Sequence, residues 1–108
     1  MSSHGGRQLD SAPPPINALK RIRKAVGKKF PLFYDTGLRS GEDVIKAYAV
    51  GADYVFFGRP FQFSIAANGE RGLKQMFDVL TDEVSITLAQ VGMTNMLDVK
   101  KGACISAE

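Results

Sequence analysis

Two glycine–arginine turns in this sequence are suited to bind a phosphate group. A glycine lets the backbone approach an anion without a Cβ in the way, and a guanidinium group can donate two hydrogen bonds to phosphate oxygens. An aspartate in the first turn could accept a hydrogen bond from a sugar hydroxyl. The alternative is that both glycines are ordinary turn residues beside surface arginines. The residues of this candidate site are Asp35, Gly37, Arg39, Gly58 and Arg59.

A second candidate site lies in the run His-Gly-Gly-Arg-Gln near the start of the sequence. Imidazole is a side chain that can act as a base in enzymes, so His4 could take a proton from a substrate hydroxyl or carbon. The guanidinium group of Arg7, three residues later, could hold a carboxylate through two hydrogen bonds. Together these groups suit a small hydroxy acid. The alternative is a solvent-exposed histidine without a chemical role.

The two turns each follow a predicted strand. Residues 31–34 and 54–57 are short apolar runs without alternation, typical of strands buried on both faces. Between them Ser40 begins a helix and forms a capping box with Asp43. Two strands joined by one helix imply a right-handed crossover and a parallel pair. Because parallel strands end at the same edge of a sheet, we expect both turns to surround one point.

The first residues lack periodicity and are predicted to form a loop, and the chain outside the βαβ unit is otherwise predicted to be helical up to residue 99, with a break at Asn68-Gly69. The predicted helices span residues 14–26, 60–67 and 70–91, followed by a short turn at residues 96–99. The longest helix carries an apolar stripe that we assign to core packing: Leu73, Met76, Phe77, Leu80, Val84, Leu88 and Val91. Two parallel strands cannot form a self-sufficient sheet. The pattern therefore predicts an α/β fold that corresponds to about the last two βα units of a (β/α)8 TIM barrel. Residues 1–99 are predicted to form the barrel piece, and residues 100–108 a polar, disordered tail.

Composition excludes several other classes of protein. The 108 residues carry a net charge of only +3, too small to indicate a nucleic-acid partner. The densest basic cluster, within residues 20–29, is interpreted as a solvated helix face. Cys104 is the single cysteine and is interpreted as incidental. No apolar run reaches membrane-spanning length, no signal peptide is apparent, and we predict no metal site. We therefore expect a cytoplasmic protein, with peripheral attachment to a membrane left open.

The two candidate sites together resemble one known family. The run Ser-His-Gly-Gly-Arg-Gln-Leu-Asp at residues 3–10 is similar to a signature of the FMN-dependent 2-hydroxy-acid dehydrogenases and oxidases, whose members act on lactate, glycolate or mandelate. Residues 35–59 resemble the FMN-phosphate segment of the same family. The likeness extends to about Val99. The histidine motif is specific to the family, whereas other phosphate-binding barrels share the two turns.

The resemblance implies a role for each matching residue. His4 would be the active-site base, and Arg7 would bind the substrate carboxylate. The phosphate end of FMN would be held by Asp35, Thr36, Gly37, Arg39, Gly58 and Arg59. The implied reaction oxidises a small 2-hydroxy acid, such as L-lactate, to the 2-keto acid.

The sequence departs from the family pattern at two positions and in length. Ser3 stands where the family usually has asparagine, and Thr36 stands where it has glycine or serine. The first five barrel strands and most of the sixth are absent, along with the residues that contact the flavin ring. We therefore expect His4 to lie at a frayed terminus and the isolated chain to be inactive. Family members are often homo-oligomeric, and the missing amino-terminal barrel part is a possible partner.

Two further hypotheses are compatible with the sequence. The chain could be a non-catalytic phosphate- or FMN-binding fragment, for example one half of a split barrel. It could also belong to another FMN- or nucleotide-binding barrel. His4 and Arg7 discriminate against this last reading, because such barrels share the phosphate turns without the histidine motif.

Overall fold

A computed structural model of the chain describes residues 1–100. Cys104 and all of the predicted tail except Lys100 lie outside this range, so the structure does not describe them. After a short 3₁₀ turn at His4–Gly6, the elements are α1 (Pro15–Val26), β1 (Phe33–Asp35), α2 (Gly41–Val50), β2 (Tyr54–Phe56), α3 (Arg59–Gln90) and α4 (Met96–Asp98). The predicted break inside α3 is present, because Asn68 and Gly69 have non-helical backbone angles.

The βαβ unit has the predicted parallel arrangement. β1 and β2 pair in register, with Tyr34 beside Val55, and α2 is the connection between them. The start of α2 carries the predicted capping box: Ser40 Oγ accepts from the Asp43 amide at 3.3 Å, and Asp43 Oδ2 accepts from the Ser40 amide at 3.3 Å. This local signal therefore fixes where the first candidate phosphate turn gives way to the helix.

The expectation of a frayed amino terminus is wrong within this structure. Ser2 forms a parallel bridge with Asp35, and the Asp35 amide donates to the Met1 carbonyl at 2.9 Å. The first residues thus run beside β1 like a third strand, because their backbone groups satisfy its otherwise unpaired edge. His4 consequently follows the end of a strand-like segment, at the same sheet edge as both phosphate turns.

The core lies on one face of the sheet only. Tyr34 packs there with residues of α1 and α2 in a buried cluster that comprises Leu19, Leu32, Tyr34, Leu38, Ala47 and Ala52. A second cluster joins Ile45 of α2 to Met93 and Val99, with Val84 and Leu88 packed against it. Burial of these apolar side chains holds the helices against the βαβ unit.

The prediction that both strands are buried on both faces is wrong. Phe33, Tyr54 and Phe56 are 50%, 55% and 48% exposed, and their rings contact one another with centroids 5.4–5.9 Å apart. Successive strand residues point to opposite faces, so these rings occupy the face opposite Tyr34. Within residues 1–100 no element covers this aromatic face. The apolar stripe of α3 is likewise only partly buried, since Phe77 and Val91 are about half exposed.

Arg23 is the exception to the solvated face predicted for the basic cluster, because the other five lysines and arginines within residues 20–29 are exposed. Its guanidinium group donates to the carbonyls of Gly51, Gly27 and Phe30 at 2.7–2.8 Å and pairs with Asp53 at 2.5 Å. These bonds tie the end of α1 to the loops that lead into β1 and β2. A helical charge pattern could not reveal this, because the acceptors come from distant backbone segments.

Asp53 gives a prediction about acid stability. A hydrogen bond from Lys100, together with bonds from the Leu32 amide and Arg23, lowers the pKa of Asp53 from 3.8 to about 2, although partial burial opposes the shift. A carboxylate with a lowered pKa stabilises the fold above its unfolded pKa, and that contribution is lost as the pH falls toward about 2. Asp53→Asn should lower the free energy of unfolding by about 1 kcal/mol at pH 7. The effect is no larger because the ion pairs are partly solvent-exposed.

Urea unfolding of the 108-residue chain at pH 7 and pH 2.5 checks this prediction. The difference in midpoint between wild type and Asp53→Asn should shrink at the lower pH. Asp78→Asn is the matched control, because Asp78 is exposed on α3 and makes the same change in charge. If Asp53→Asn lowered the urea midpoint equally at both pH values, the stabilising role of the ionised Asp53 carboxylate would be contradicted.

Candidate functional site

A cleft of about 200 Å³ opens at the carboxyl ends of the strands. It is lined by all eight residues that the sequence singled out: His4, Arg7, Asp35, Thr36, Gly37, Arg39, Gly58 and Arg59. The candidate base and the candidate phosphate turns therefore face one cavity. They converge because the first residues, β1 and β2 run parallel and end together.

Both turns leave open space beside a glycine. Gly37 has a φ of 70°, and the preceding Thr36 has a φ of 147°, an unusual value for a residue with a Cβ. A Cβ added at Gly37 or at Gly58 would meet no atom within 4 Å. An anion could therefore approach the backbone at either turn. The strained Thr36 backbone lies in the same cavity, where such conformations often mark functional sites.

The second turn is also a helix start. α3 begins at Arg59 directly after Gly58, and no side chain caps its amino terminus. The first amide groups of a helix lack intrahelical acceptors, and they carry partial positive charge. Gly58, Arg59 and Pro60 at this end of α3 line the cleft, although Pro60 itself has no N–H to donate. A phosphate group is the kind of ligand that such an end accepts.

Three arginines make the cleft positive. Within residues 1–100 the guanidinium groups of Arg7 and Arg39 make no hydrogen bond or ion pair with the protein. Arg59 donates through Nη2 to the Gly5 carbonyl at 2.9 Å, which connects the second phosphate turn to the histidine loop. Asp35 is the only acidic residue among those that line the cleft. The resulting excess of positive charge favours an anionic ligand.

Asp35 is held by a relay that the sequence did not indicate. Its Oδ2 accepts from Ser2 Oγ at 2.8 Å, and Ser2 Oγ in turn accepts from the His4 amide at 3.0 Å. The two departures from the family pattern also contact each other, because the hydroxyls of Ser3 and Thr36 are hydrogen-bonded. The amino-terminal segment is thus joined to the first phosphate turn by side chains as well as backbone.

His4 lies exposed at the rim of the cleft. Its φ is 52°, in the left-handed region, and Gly5 and Gly6 after it are also left-handed. The ring atom Nδ1 lies 3.0 Å from Oε1 of Gln8. The two glycines let the loop turn sharply enough to bring Gln8 back to the ring. This geometry leaves Nε2 as the ring atom available to a ligand.

The sequence did not single out five other residues that line the cleft: Gly5, Leu38, Phe56, Pro60 and Gln62. Gly5, Leu38 and Pro60 are immediate neighbours of predicted residues in the same turns, and Phe56 is the last residue of β2, so proximity in the sequence was the available signal. Gln62 lies one helical turn beyond Gly58, and its amide donates to the Gly58 carbonyl at 3.1 Å. Its place at the cleft depends on where α3 begins.

The described part of the chain holds no group of three or more His, Cys, Asp or Glu side chains that could bind a metal ion. Among residues 1–100, no helix has both the length and the hydropathy needed to cross a membrane.

Comparison with known proteins identifies the family. The family model for FMN-dependent dehydrogenases matches residues 1–106. Glycolate oxidase from Spinacia oleracea is 44% identical over 101 residues, which are 94% of this chain and 27% of that protein. Glycolate oxidase 2 from Oryza sativa subsp. indica is 42% identical over 106 residues, which are 98% of this chain and 29% of that protein.

Solved structures agree with this assignment. A Pediococcus acidilactici protein described as a lactate oxidase superposes with a TM-score of 0.86 at 41% identity, covering 91% of this chain and 27% of that one. A mandelate oxidase solved with (S)-2-phenylpropionate superposes with a TM-score of 0.87 at 40% identity. The match covers 93% of this chain and 30% of the mandelate oxidase.

The chain thus spans less than a third of the length of these relatives. The prediction of an α/β piece of a TIM-barrel flavin oxidase is confirmed, and a different phosphate-binding barrel is no longer a supported alternative. The chain belongs to the FMN-dependent 2-hydroxy-acid dehydrogenase and oxidase family.

Proposed function

We propose that this chain carries the phosphate-binding and carboxylate-binding side of an FMN-dependent oxidoreductase. The enzyme would convert a small 2-hydroxy acid, such as glycolate or L-lactate, to the 2-keto acid. The observation that carries the proposal is the convergence of His4, Arg7 and both glycine–arginine turns on one cleft. This convergence joins an anion site to a general base.

The cleft fits the phosphate end of FMN. Gly37 and Gly58 leave room for phosphate oxygens, the start of α3 offers amide donors, and Arg39 has no competing acceptor within the described residues. Asp35 and Thr36 lie beside the first turn, where hydroxyls of the ribityl chain would emerge. Arg59 would hold the phosphate with its remaining donors while Nη2 keeps its bond to Gly5.

The chain's own residues would handle the substrate's charge and proton. Arg7 would bind the carboxylate in two hydrogen bonds and so orient the hydroxyl-bearing carbon. His4 would accept the hydroxyl proton at Nε2 as the carbonyl forms. The C–H bond of the same carbon would break, and FMN, when bound, would supply the acceptor for the electron pair and the hydrogen of that bond. The products are the 2-keto acid and reduced FMN.

The aromatic face indicates that this chain needs the rest of a barrel for turnover. Phe33, Tyr54 and Phe56 present apolar rings with no cover within residues 1–100, and in the same range β2 pairs only with β1. A two-stranded sheet is marginal in water. The relatives place a comparable segment in a chain more than three times as long. We therefore propose that the 108-residue chain alone does not oxidise substrate.

A chimera tests the proposal. This chain would replace the matching 27% of glycolate oxidase from Spinacia oleracea. We expect the chimera to bind FMN and oxidise glycolate, whereas the 108-residue chain alone should show no turnover under the same assay. A folded chimera that binds FMN without oxidising glycolate or lactate would contradict the substrate assignment. Turnover by the isolated chain would contradict the need for the rest of the barrel.

A second candidate function is a non-catalytic partner in a split barrel. The open aromatic face and the unpaired side of β2 favour it, because both could receive a complementary barrel piece as a separate chain. Co-expression of this chain with the remaining part of the spinach protein distinguishes the readings. Co-purification without FMN-dependent turnover would favour the partner role, and turnover would favour the enzyme.

A further inference from the structure

We propose that Ser3 is a positioning residue that orients the hydroxyl of Thr36 as a hydrogen-bond donor to the phosphate of FMN. The two side chains are hydrogen-bonded to each other through their hydroxyl oxygens. Thr36 lines the cleft, and Ser3 reaches a ligand there only through Thr36. This inference rests on the proposed function, because it takes the phosphate of FMN as the ligand of the cleft.

Backbone pairing brings the two hydroxyls together. Ser2 forms a parallel bridge with Asp35, so the next residues of the two segments, Ser3 and Thr36, lie side by side. The Asp35 amide donates to the Met1 carbonyl at 2.9 Å, and Ser2 Oγ donates to Asp35 Oδ2 at 2.8 Å. Both Ser3 and Thr36 are half-buried. The contact between their hydroxyls therefore follows from the register of the two segments.

The backbone of Thr36 also needs a contact that holds it. Its φ of 147° lies in a region that favours glycine, and it directly precedes Gly37 in the first phosphate turn. A residue in such a conformation persists where its surroundings hold it, and these residues cluster at functional sites. Within residues 1–100, the bond with Ser3 is the hydrogen bond that the Thr36 side chain makes.

The chemistry of a phosphate gives this bond its direction. A hydroxyl group has one proton to donate and two lone pairs that accept. The charged oxygens of a phosphate accept hydrogen bonds, so Thr36 would donate its single proton to the ligand. The Thr36 oxygen then accepts from Ser3, whose hydroxyl has no other acceptor in the described part of the chain. Because each bond in such a chain polarises the next, loss of the Ser3 hydroxyl should weaken the bond to phosphate.

Flavin affinities of the glycolate oxidase chimera test the proposal, because only FMN carries the phosphate that riboflavin lacks. Thr36→Val should lower the preference for FMN over riboflavin about 10-fold, which is the effect of one hydrogen bond to a charged group. Ser3→Ala should lower this preference about 3-fold, and the double variant should lower it no further than Thr36→Val alone. Ser3→Thr keeps the hydroxyl and should keep the wild-type preference.

The outcomes separate this inference from the proposed function. A wild-type chimera that binds both flavins equally would count against both. If the wild type prefers FMN and Ser3→Ala leaves that preference unchanged, this inference alone is overturned. Equal losses of affinity for FMN and riboflavin would also overturn it, because a contact with the ribityl chain or a merely structural role affects both flavins alike.

Urea unfolding of the 108-residue chain gives a second readout that needs no flavin. Ser3→Ala and Thr36→Val should each lower the urea midpoint. The double variant should lower the midpoint no further than the larger single effect, because the two hydroxyls form one contact. Ser11→Ala is the matched control at an exposed serine and should leave the midpoint close to that of the wild type. Additive shifts in the double variant would overturn the pairing of Ser3 with Thr36.

Discussion

His4→Ala in the glycolate oxidase chimera is expected to lower kcat/KM about 10³-fold while FMN stays bound. The loss follows from the removal of a positioned general base, which contributes about 10²–10⁴-fold in enzymes. Flavin should be retained because His4 lies at the rim of the cleft, whereas the open glycines and the start of α3 lie at the phosphate turns. Steady-state kinetics and the visible flavin spectrum measure the two effects separately.

Two control variants sharpen this prediction. Arg7→Ala should raise KM for the hydroxy acid strongly, because the carboxylate loses its partner, and it should also leave FMN in place. Gln62→Ala, at another position that lines the cleft, should change both constants only slightly. If His4→Ala released the flavin with little change in turnover on added FMN, the roles would be misassigned.

Gly41→Val is expected to cost about 3 kcal/mol of unfolding free energy, the second large effect. A Cβ at position 41 would lie 2.5 Å from the Val84 amide nitrogen and 2.6 Å from Glu83 Cβ, so α2 and α3 would have to separate. Overpacking of this kind costs about 1–3 kcal/mol or more. The Gly41 amide would also be displaced from Glu83 Oε2, from which it is now 2.6 Å away.

Urea unfolding of the 108-residue chain measures this cost. Ala49→Val is the matched control, because it introduces the same side chain at an exposed position of the same helix. Ala49→Val should lower the free energy of unfolding by less than about 1 kcal/mol, because only the lower helix propensity of valine contributes. An equal loss in the two variants would show that the close approach of α2 and α3 contributes nothing to stability.

The phosphate turns could be predicted from sequence because their geometry is local. A strand, a glycine turn and a capped helix follow one another within residues 33–50, and Ser40 and Asp43 signal the helix start directly. Parallel pairing then brings Gly58 and Arg59 to the same edge. The histidine loop lies at the same edge because the first residues pair with β1, and the sequence did not reveal this pairing.

Other features depend on distant contacts and could not be read from periodicity. The role of Arg23 depends on carbonyls in two separate loops, and the need for glycine at position 41 depends on how closely α3 approaches. The strands were predicted to be buried on both faces because apolar runs indicate affinity for a core. The structure shows that Phe33, Tyr54 and Phe56 have no cover within the described residues, since no further strand or helix lies over them.

The two glycine–arginine turns are proposed to hold the phosphate of FMN. FMN and riboflavin differ only in that phosphate, so the ratio of their dissociation constants for the chimera isolates its contribution. Charged hydrogen bonds of about 1.5–3 kcal/mol each imply that FMN binds at least about 100-fold more tightly. Fluorescence titration of wild type and of the Arg39→Ala/Arg59→Ala variant gives both ratios. We expect the wild-type chimera to prefer FMN strongly and the affinity ratio to fall close to 1 in the variant. Equal affinity of the wild type for both flavins would show that the turns do not bind the phosphate.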